Sequence, residues 1–232
     1  MDDCSRSKCA EALINNEKCF LDDPAWTEVI KRVSVPGETF TDRSDLGIEL
    51  MIIKPKIAGL AKRTNHAIVI QDTLQQEDFN ALAAEIRVVR SAIMTWRSKF
   101  NTALIHAEEC SRDDATDFGK RYELLGLSLV VNIVISRLLC CILPNDRAFL
   151  EEEVQNMAFE VKAVQVSLEH NRRAEFFFAQ KAKIAEAAIA THSYFHDVLY
   201  SGRVVERWRL EKFWEALGRK CCDGETCYDL DM

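Results

Sequence analysis

Apolar residues recur at steps of three and four along most of this chain, the spacing of one face of an α-helix at 3.6 residues per turn. The clearest run is Phe79, Leu82, Ile86, Val89, Ile93, Trp96, Phe100 and Leu104, which predicts a single long helix. Upstream, Leu46, Leu50, Ile53, Ile57 and Leu60 predict an amphipathic helix that Pro55 kinks or splits, because proline has no N–H to donate. Trp26, Val29, Ile30 and Val33 share a face after a helix opening at Asp22, Asp23 and Pro24, where an aspartate caps and a proline suits the first turn. Residues 35–45 read as a loop by their Pro36-Gly37 step and polar cluster, and residues 66–74 fit no single pattern.

The second half continues in the same way. After a polar break at residues 110–117 comes a run that is apolar on all sides, residues 124–143 (LLGLSLVVNIVISRLLCCIL). Pro144, Asn145 and Asp146 end it and cap the next helix, whose first turns carry Glu151, Glu152 and Glu153 near the positive helix end. Leu150, Val154, Met157, Val161, Val164 and Leu168 mark that helix's buried face. A charged break at residues 169–173 precedes another face at Phe177, Ile184, Ala188, Phe195 and Leu199, which Ser201-Gly202 stops. A last helix spans residues 204–217 before Gly218. No stretch alternates with period two. The expectation is one all-α domain, a bundle of about seven to nine helices, several of them long and antiparallel. It occupies residues 20–220, between a Cys-containing segment (1–19) and an acidic, Cys-rich tail (221–232).

Composition agrees with this picture. Of 232 residues, 48% are apolar, enough for one large or two small cores, while 8 glycines and 4 prolines are too few for the many turns of an all-β fold. Thirty Lys and Arg against 37 Asp and Glu give a formal charge of -7, a sign that opposes nucleic-acid binding unless the bases are segregated. The start is acidic and has no apolar core of a signal peptide, so the nine cysteines are expected as free thiols in a reducing cytoplasm or nucleus. Should Cys4, Cys9 and Cys19 meet Cys221, Cys222 and Cys227 in space, a redox or metal cluster becomes available, although no pair has the two-residue gap of zinc knuckles.

The run at residues 124–143 is also long enough to span a bilayer. Asn132 and Arg137 inside it argue for a buried central helix instead, since an arginine at mid-membrane costs about 2.5–3.5 kcal/mol. No membrane partner is expected, and a membrane-associated helical protein is kept as a second alternative.

Three groups of residues have chemical potential. Asp113, Asp114 and Asp117 (DDATD) have the spacing with which helical isoprenoid synthases hold Mg²⁺ and a diphosphate; the alternative function is therefore a helical-fold enzyme using these aspartates. The motif falls in a polar break and lacks a second metal motif, which favours a solvated loop with a helix cap. His192 and His196 lie one turn apart, but the glutamate of a metalloprotease His-Glu-x-x-His motif is missing, and they read as surface or half-buried histidines. No catalytic residue, metal ligand or cofactor is assigned. Near the C-terminus Arg203, Arg207, Arg209, Lys212, Arg219 and Lys220 cluster with Trp208, Phe213 and Trp214, but Glu206, Glu211 and Glu215 interleave as one-turn ion pairs. Packing of the tryptophans against the bundle is the main expectation; Trp208, Phe213 and Trp214 are the candidate partner-binding residues, because exposed Trp and Arg anchor interfaces.

Residues 176–199 (FFFAQKAKIAEAAIATHSYFHDVL) and 206–220 (ERWRLEKFWEALGRK) resemble the C-terminal part of the helical regulatory region of fungal binuclear zinc-cluster transcription regulators. Residues 21–33 (LDDPAWTEVIKRV) and 134–153 (VISRLLCCILPNDRAFLEEE) are similar to earlier parts of such regions. The resemblance covers roughly residues 20–220 and implies a non-enzymatic regulatory or interaction domain in the nucleus or cytoplasm, acting through a protein partner, a homodimer or a small effector. Those regulators read DNA through six cysteines that hold two zinc ions among basic residues. Here Cys4, Cys9 and Cys19 have other gaps and no Lys/Arg-rich block accompanies them, so no direct DNA binding is expected by that route. A fragment of a longer regulator, a truncated paralogue and a helical domain put to another use all fit.

Overall fold

The computed structural model describes residues 2–109, 115–168, 172–196 and 207–219, and among these every regular element is helical. Asp23 caps α2 (Pro24–Lys31) with its side chain, accepting from Ala25 N at 2.8 Å, and Pro24 occupies the first turn. Ser44 does the same for α3 (Asp45–Ile53), accepting from Gly47 N at 3.1 Å. Pro55 splits the predicted helix: α3 ends at Ile53 and α4 (Lys56–Val69) starts beyond the proline, with Leu46, Leu50, Ile53, Ile57 and Leu60 all buried. The ambiguous residues 66–74 are the end of α4 and one 3-10 turn, Gln71–Thr73.

The long helix is present as α5 (Gln76–Glu109), 34 residues without interruption. Its apolar stripe faces the core, where Trp96 is fully buried, stacks on Phe100 with ring centroids 5.2 Å apart, and donates from Nε1 to Leu46 O at 2.7 Å. That last bond satisfies the indole N–H that burial would otherwise leave unpaired.

At the centre lies α6 (Ala115–Ile142), packed against α5, α7 (Arg147–Ser167) and α8 (Arg172–Ala190), and touching α4 and α10 (Arg207–Ala216). It is long and apolar enough to cross a membrane, and 94% of its most apolar window is buried inside the bundle. Hydrophobicity on all sides is what a helix enclosed on all sides requires. Arg90 and Arg97 of α5 reach Glu153 and Glu160 of α7, the latter at 2.6 Å, so equal steps along both helices set them parallel to one another with α6 returning between them. Arg87 adds a pair to Asp146 at 3.0 Å. Asp146 thus spends its carboxylate on α5 and makes no side-chain cap to α7, unlike the expectation for this residue.

At Gly126 the side chains of α8 lie directly against the backbone of α6. A Cβ there would stand 2.3 Å from Cε2 of the buried Phe178, so only glycine lets the two helices come this near. The helix predicted through Phe177 and Leu199 ends earlier, at Ala190; Thr191 turns its hydroxyl back to Ala187 O at 2.6 Å, and a short α9 (His192–His196) follows.

Both ends of the described chain close on α4. Residues 1–19, read from sequence as a tail, contain α1 (Asp2–Ile14), which packs against α4 through Cys9 and Ala12 and belongs to the bundle. Its buried residues, among those described, are one cysteine and one alanine, too weak an apolar stripe to be seen as a pattern. Helix α1 ends in a Schellman motif: Asn16 takes a positive φ of 59° while Glu17 N donates to Ala12 O at 2.8 Å. Helix α10 ends the same way at Gly218, φ 89°, with Arg219 N on Trp214 O at 2.9 Å and Gly218 N on Glu215 O at 2.9 Å. Between the two ends stands Asn65 of α4, whose amide donates to Asn16 Oδ1 at 2.6 Å and accepts from Trp214 Nε1 at 3.1 Å.

Candidate functional site

Of the candidate partner-binding residues, Phe213 and Trp214 sit in the core, Phe213 with no exposed surface and Trp214 against Asn65. They hold α10 on the bundle and are not surface anchors. Trp208 is 43% exposed and packs edge-on against Tyr194 with centroids 5.7 Å apart, beside Arg209. The three therefore form no common patch: a helix of this phase turns positions 213 and 214 inward and position 208 outward. Asp113 and Asp114 lie outside the described residues; Asp117 falls in the first turn of α6. Cys221, Cys222 and Cys227, the C-terminal half of the supposed cysteine cluster, also lie outside them, and no group of three or more metal-ligating side chains occurs among the described residues.

His192 and His196 stack with ring centroids 5.1 Å apart, His196 exposed and His192 half-buried. His192 has an unforeseen neighbour. Its Nδ1 lies 2.8 Å from Oε1 of Glu151, one of the three acids expected near the positive helix end and found completely buried. Arg137, equally buried on α6, pairs with it: Nη1 stands 2.6 Å from Oε2 and Nη2 donates to Oε1 at 3.2 Å. The same Nη2 donates to Ala188 O at 2.8 Å, and Gln155 Nε2 donates to both Glu151 Oε1, at 2.7 Å, and Ala188 O, at 3.0 Å. The guanidinium carbon lies 3.7 Å from the centre of the Phe195 ring, a cation–π contact. Burial draws the Arg137 guanidinium below its ordinary value, and Glu151 opposes that shift.

Arg137 and Glu151 pair inside the core, while His192, its side chain 44% exposed, carries the cluster to the surface, and Arg137 Nε has no hydrogen-bond partner among the described residues. The cluster joins α6, α7, α8 and α9 at one point. The sequence held one usable signal, a charged residue in the middle of an apolar helix, which demands a buried counter-charge nearby.

An open site lies between α1, α2 and α3. Leu21, Trp26, Val29, Val33, Met51 and Pro55 wall a groove of about 360 Å³, with Asp42, Arg43 and Lys54 at polar positions and Cys9 among its lining residues. Trp26, Val29, Ile30 and Val33 are the residues that periodicity placed on one face of α2. Ile30 alone of these is buried, while Trp26 and Val29 remain 38% and 41% exposed; Phe20 packs edge-on against Trp26 at 5.7 Å and is itself exposed. Helix α2 packs on α3 and leaves this part of its apolar face uncovered. Arg43 is held in place by its Nε donating to Val33 O at 3.2 Å. A broader, charged depression of about 700 Å³ lies between α4 and α5, where Lys56 pairs with Asp22 at 3.1 Å and Arg63 with Glu85.

Comparison of the chain with family models, with curated proteins and with solved structures returned no match.

Proposed function

We propose that this chain is a non-enzymatic, all-α regulatory domain of the kind carried by fungal zinc-cluster regulators, and that it takes a small effector in the groove between α1, α2 and α3. The groove carries this reading. Its volume falls in the usual range of small-molecule sites, roughly 300–1,000 Å³, and it has their composition: apolar and aromatic walls with a few polar groups. Arg43 brings a guanidinium to those polar positions, which suits an effector that is an apolar molecule bearing one anionic group.

The ionic cluster supports a non-catalytic role, because Arg137, Glu151 and Gln155 bond to one another and to Ala188 O within the core. The resemblance of residues 176–199 and 206–220 to regulatory regions supports the regulatory part of the reading. In such a domain the effector acts by favouring one arrangement of α2 against α3, which a protein partner or a second copy then reads in the nucleus or cytoplasm.

Titration with anilinonaphthalene sulfonate, an aromatic probe with one anionic group, tests the groove. Saturable one-site binding is expected, weakened about tenfold or more by Val29→Glu and unchanged by Val166→Glu, a more exposed position on α7. Equal affinity in wild type and Val29→Glu overturns the assignment. Co-purification from native extract tests the regulatory role, which recovery with a transcription regulator supports.

A further inference from the structure

Cys9, on the last turns of α1, and Cys19, just before the 3-10 turn Phe20–Asp22, place their sulfurs 3.4 Å apart, and both carry free thiols. The left-handed turn at Asn16 reverses the chain and brings Cys19 back beside Cys9, and Asn65 holds that turn from α4. Ala12 and Ala58 complete a small apolar cluster around the two sulfurs, separate from the main core. Buried cysteines are common as packing groups. This pair differs from Cys140 and Cys141, which lie deep in α6, because Cys9 also lines the groove and so meets molecules that enter it.

We propose that Cys9 and Cys19 are a redox modification site, closing to a disulfide by exchange with a small disulfide such as oxidised glutathione. Contracting the present contact to a bond of about 2.0 Å requires a movement of about 1.4 Å, within reach of side-chain rotation and a small shift of the loop. The exchange balances. Cys9 loses its proton and its sulfur attacks oxidised glutathione, releasing one glutathione as thiolate; Cys19 then loses its proton and attacks the Cys9 sulfur, releasing the second. Two protein thiols are oxidised, one glutathione disulfide is reduced to two thiols, and the two protons pass to the leaving thiolates.

Burial, helped by the neighbouring Cys19 and opposed by Lys54, pushes the Cys9 thiol up to about 12. Oxidation is therefore slow near neutrality and accelerates about tenfold per pH unit as the thiolate fraction grows. The same property makes Cys9 a poor leaving group, so the closed disulfide resists reduction. Closure pins the end of α1 to the segment that opens α2, and with it one wall of the groove.

The test uses the whole chain, folded, incubated in glutathione buffers of rising oxidised fraction, then alkylated, digested and mapped by mass spectrometry. A peptide linking Cys9 to Cys19, lighter by two hydrogens, is expected, with Cys140 and Cys141 alkylated only after unfolding. Cys19→Ser is expected to stop at a mixed disulfide of glutathione on Cys9. Recovery of both residues as thiols from wild-type protein in fully oxidised buffer overturns the proposal, and so does linkage of Cys9 to any other cysteine.

Discussion

Arg137 and Glu151 lie fourteen residues apart in sequence, face each other across α6 and α7 at 2.6 Å, and expose nothing to solvent. Removing one charge strands the other in the core, so Glu151→Leu or Arg137→Met alone is expected to destabilise the fold by about 3–5 kcal/mol. Replacing both at once, Arg137→Met with Glu151→Leu, removes the stranded charge and is expected to cost well under the sum of the single changes. Urea unfolding of the four proteins in this cycle measures the difference, and additivity would contradict the pairing.

Gly126→Ala is expected to destabilise by about 1–3 kcal/mol, since the added methyl overlaps the Phe178 ring. Phe178→Leu in the same chain should recover part of that loss. A neutral Gly126→Ala in thermal unfolding would mean that α6 and α8 are farther apart than 2.3 Å to the ring allows.

Tryptophans on one helix should behave oppositely. Trp214→Ala empties a buried site and breaks the bond to Asn65, with an expected cost of about 3–5 kcal/mol. Trp208→Ala, on the exposed side, is expected to change stability by less than about 1 kcal/mol. Similar losses at both positions would contradict the orientation of α10.

Alkaline pH should weaken the fold by way of Cys9. Its folded value, pushed up to about 12, stands above the ordinary thiol value of 9.0, so the unfolded chain gives up its proton first. The stability tied to this group is complete below about pH 9 and is lost as pH rises toward 12. Burial pushes Cys140 in the same direction. Denaturation midpoints between pH 8 and pH 11, in wild type and in Cys9→Ala, are expected to fall more steeply in wild type.

Much of the architecture was legible before any coordinates, because long helices repeat their apolar signal many times. Phe79 to Leu104 became α5, Pro55 divided α3 from α4, and Asp23 capped α2 as its residue type requires. Helix α1 was missed because Cys9 and Ala12 are its buried face, and small side chains leave little mark in a hydrophobic pattern. The groove was hidden for the converse reason. Periodicity shows that Trp26 and Val29 share a side with Ile30 but not whether another helix comes to cover them. Glu151 looked like one of three ordinary acids near the positive helix end, and the position of Arg137 on the neighbouring helix separates it from Glu152 and Glu153.

Asn65 spends its two amide atoms on residues near opposite ends of the described chain, accepting a hydrogen bond from Trp214 Nε1 and donating one to Asn16 Oδ1. One side chain in the middle of the bundle thus clasps both ends of the chain, like a buckle through which two straps pass. Fraying that begins at α10 frees Asn65 to turn, and the turn behind α1 loses its fastening in the same event. Damage at the last helix should then be felt first at Cys9 and Cys19, near the opposite end of the sequence, before it reaches the ionic cluster between them.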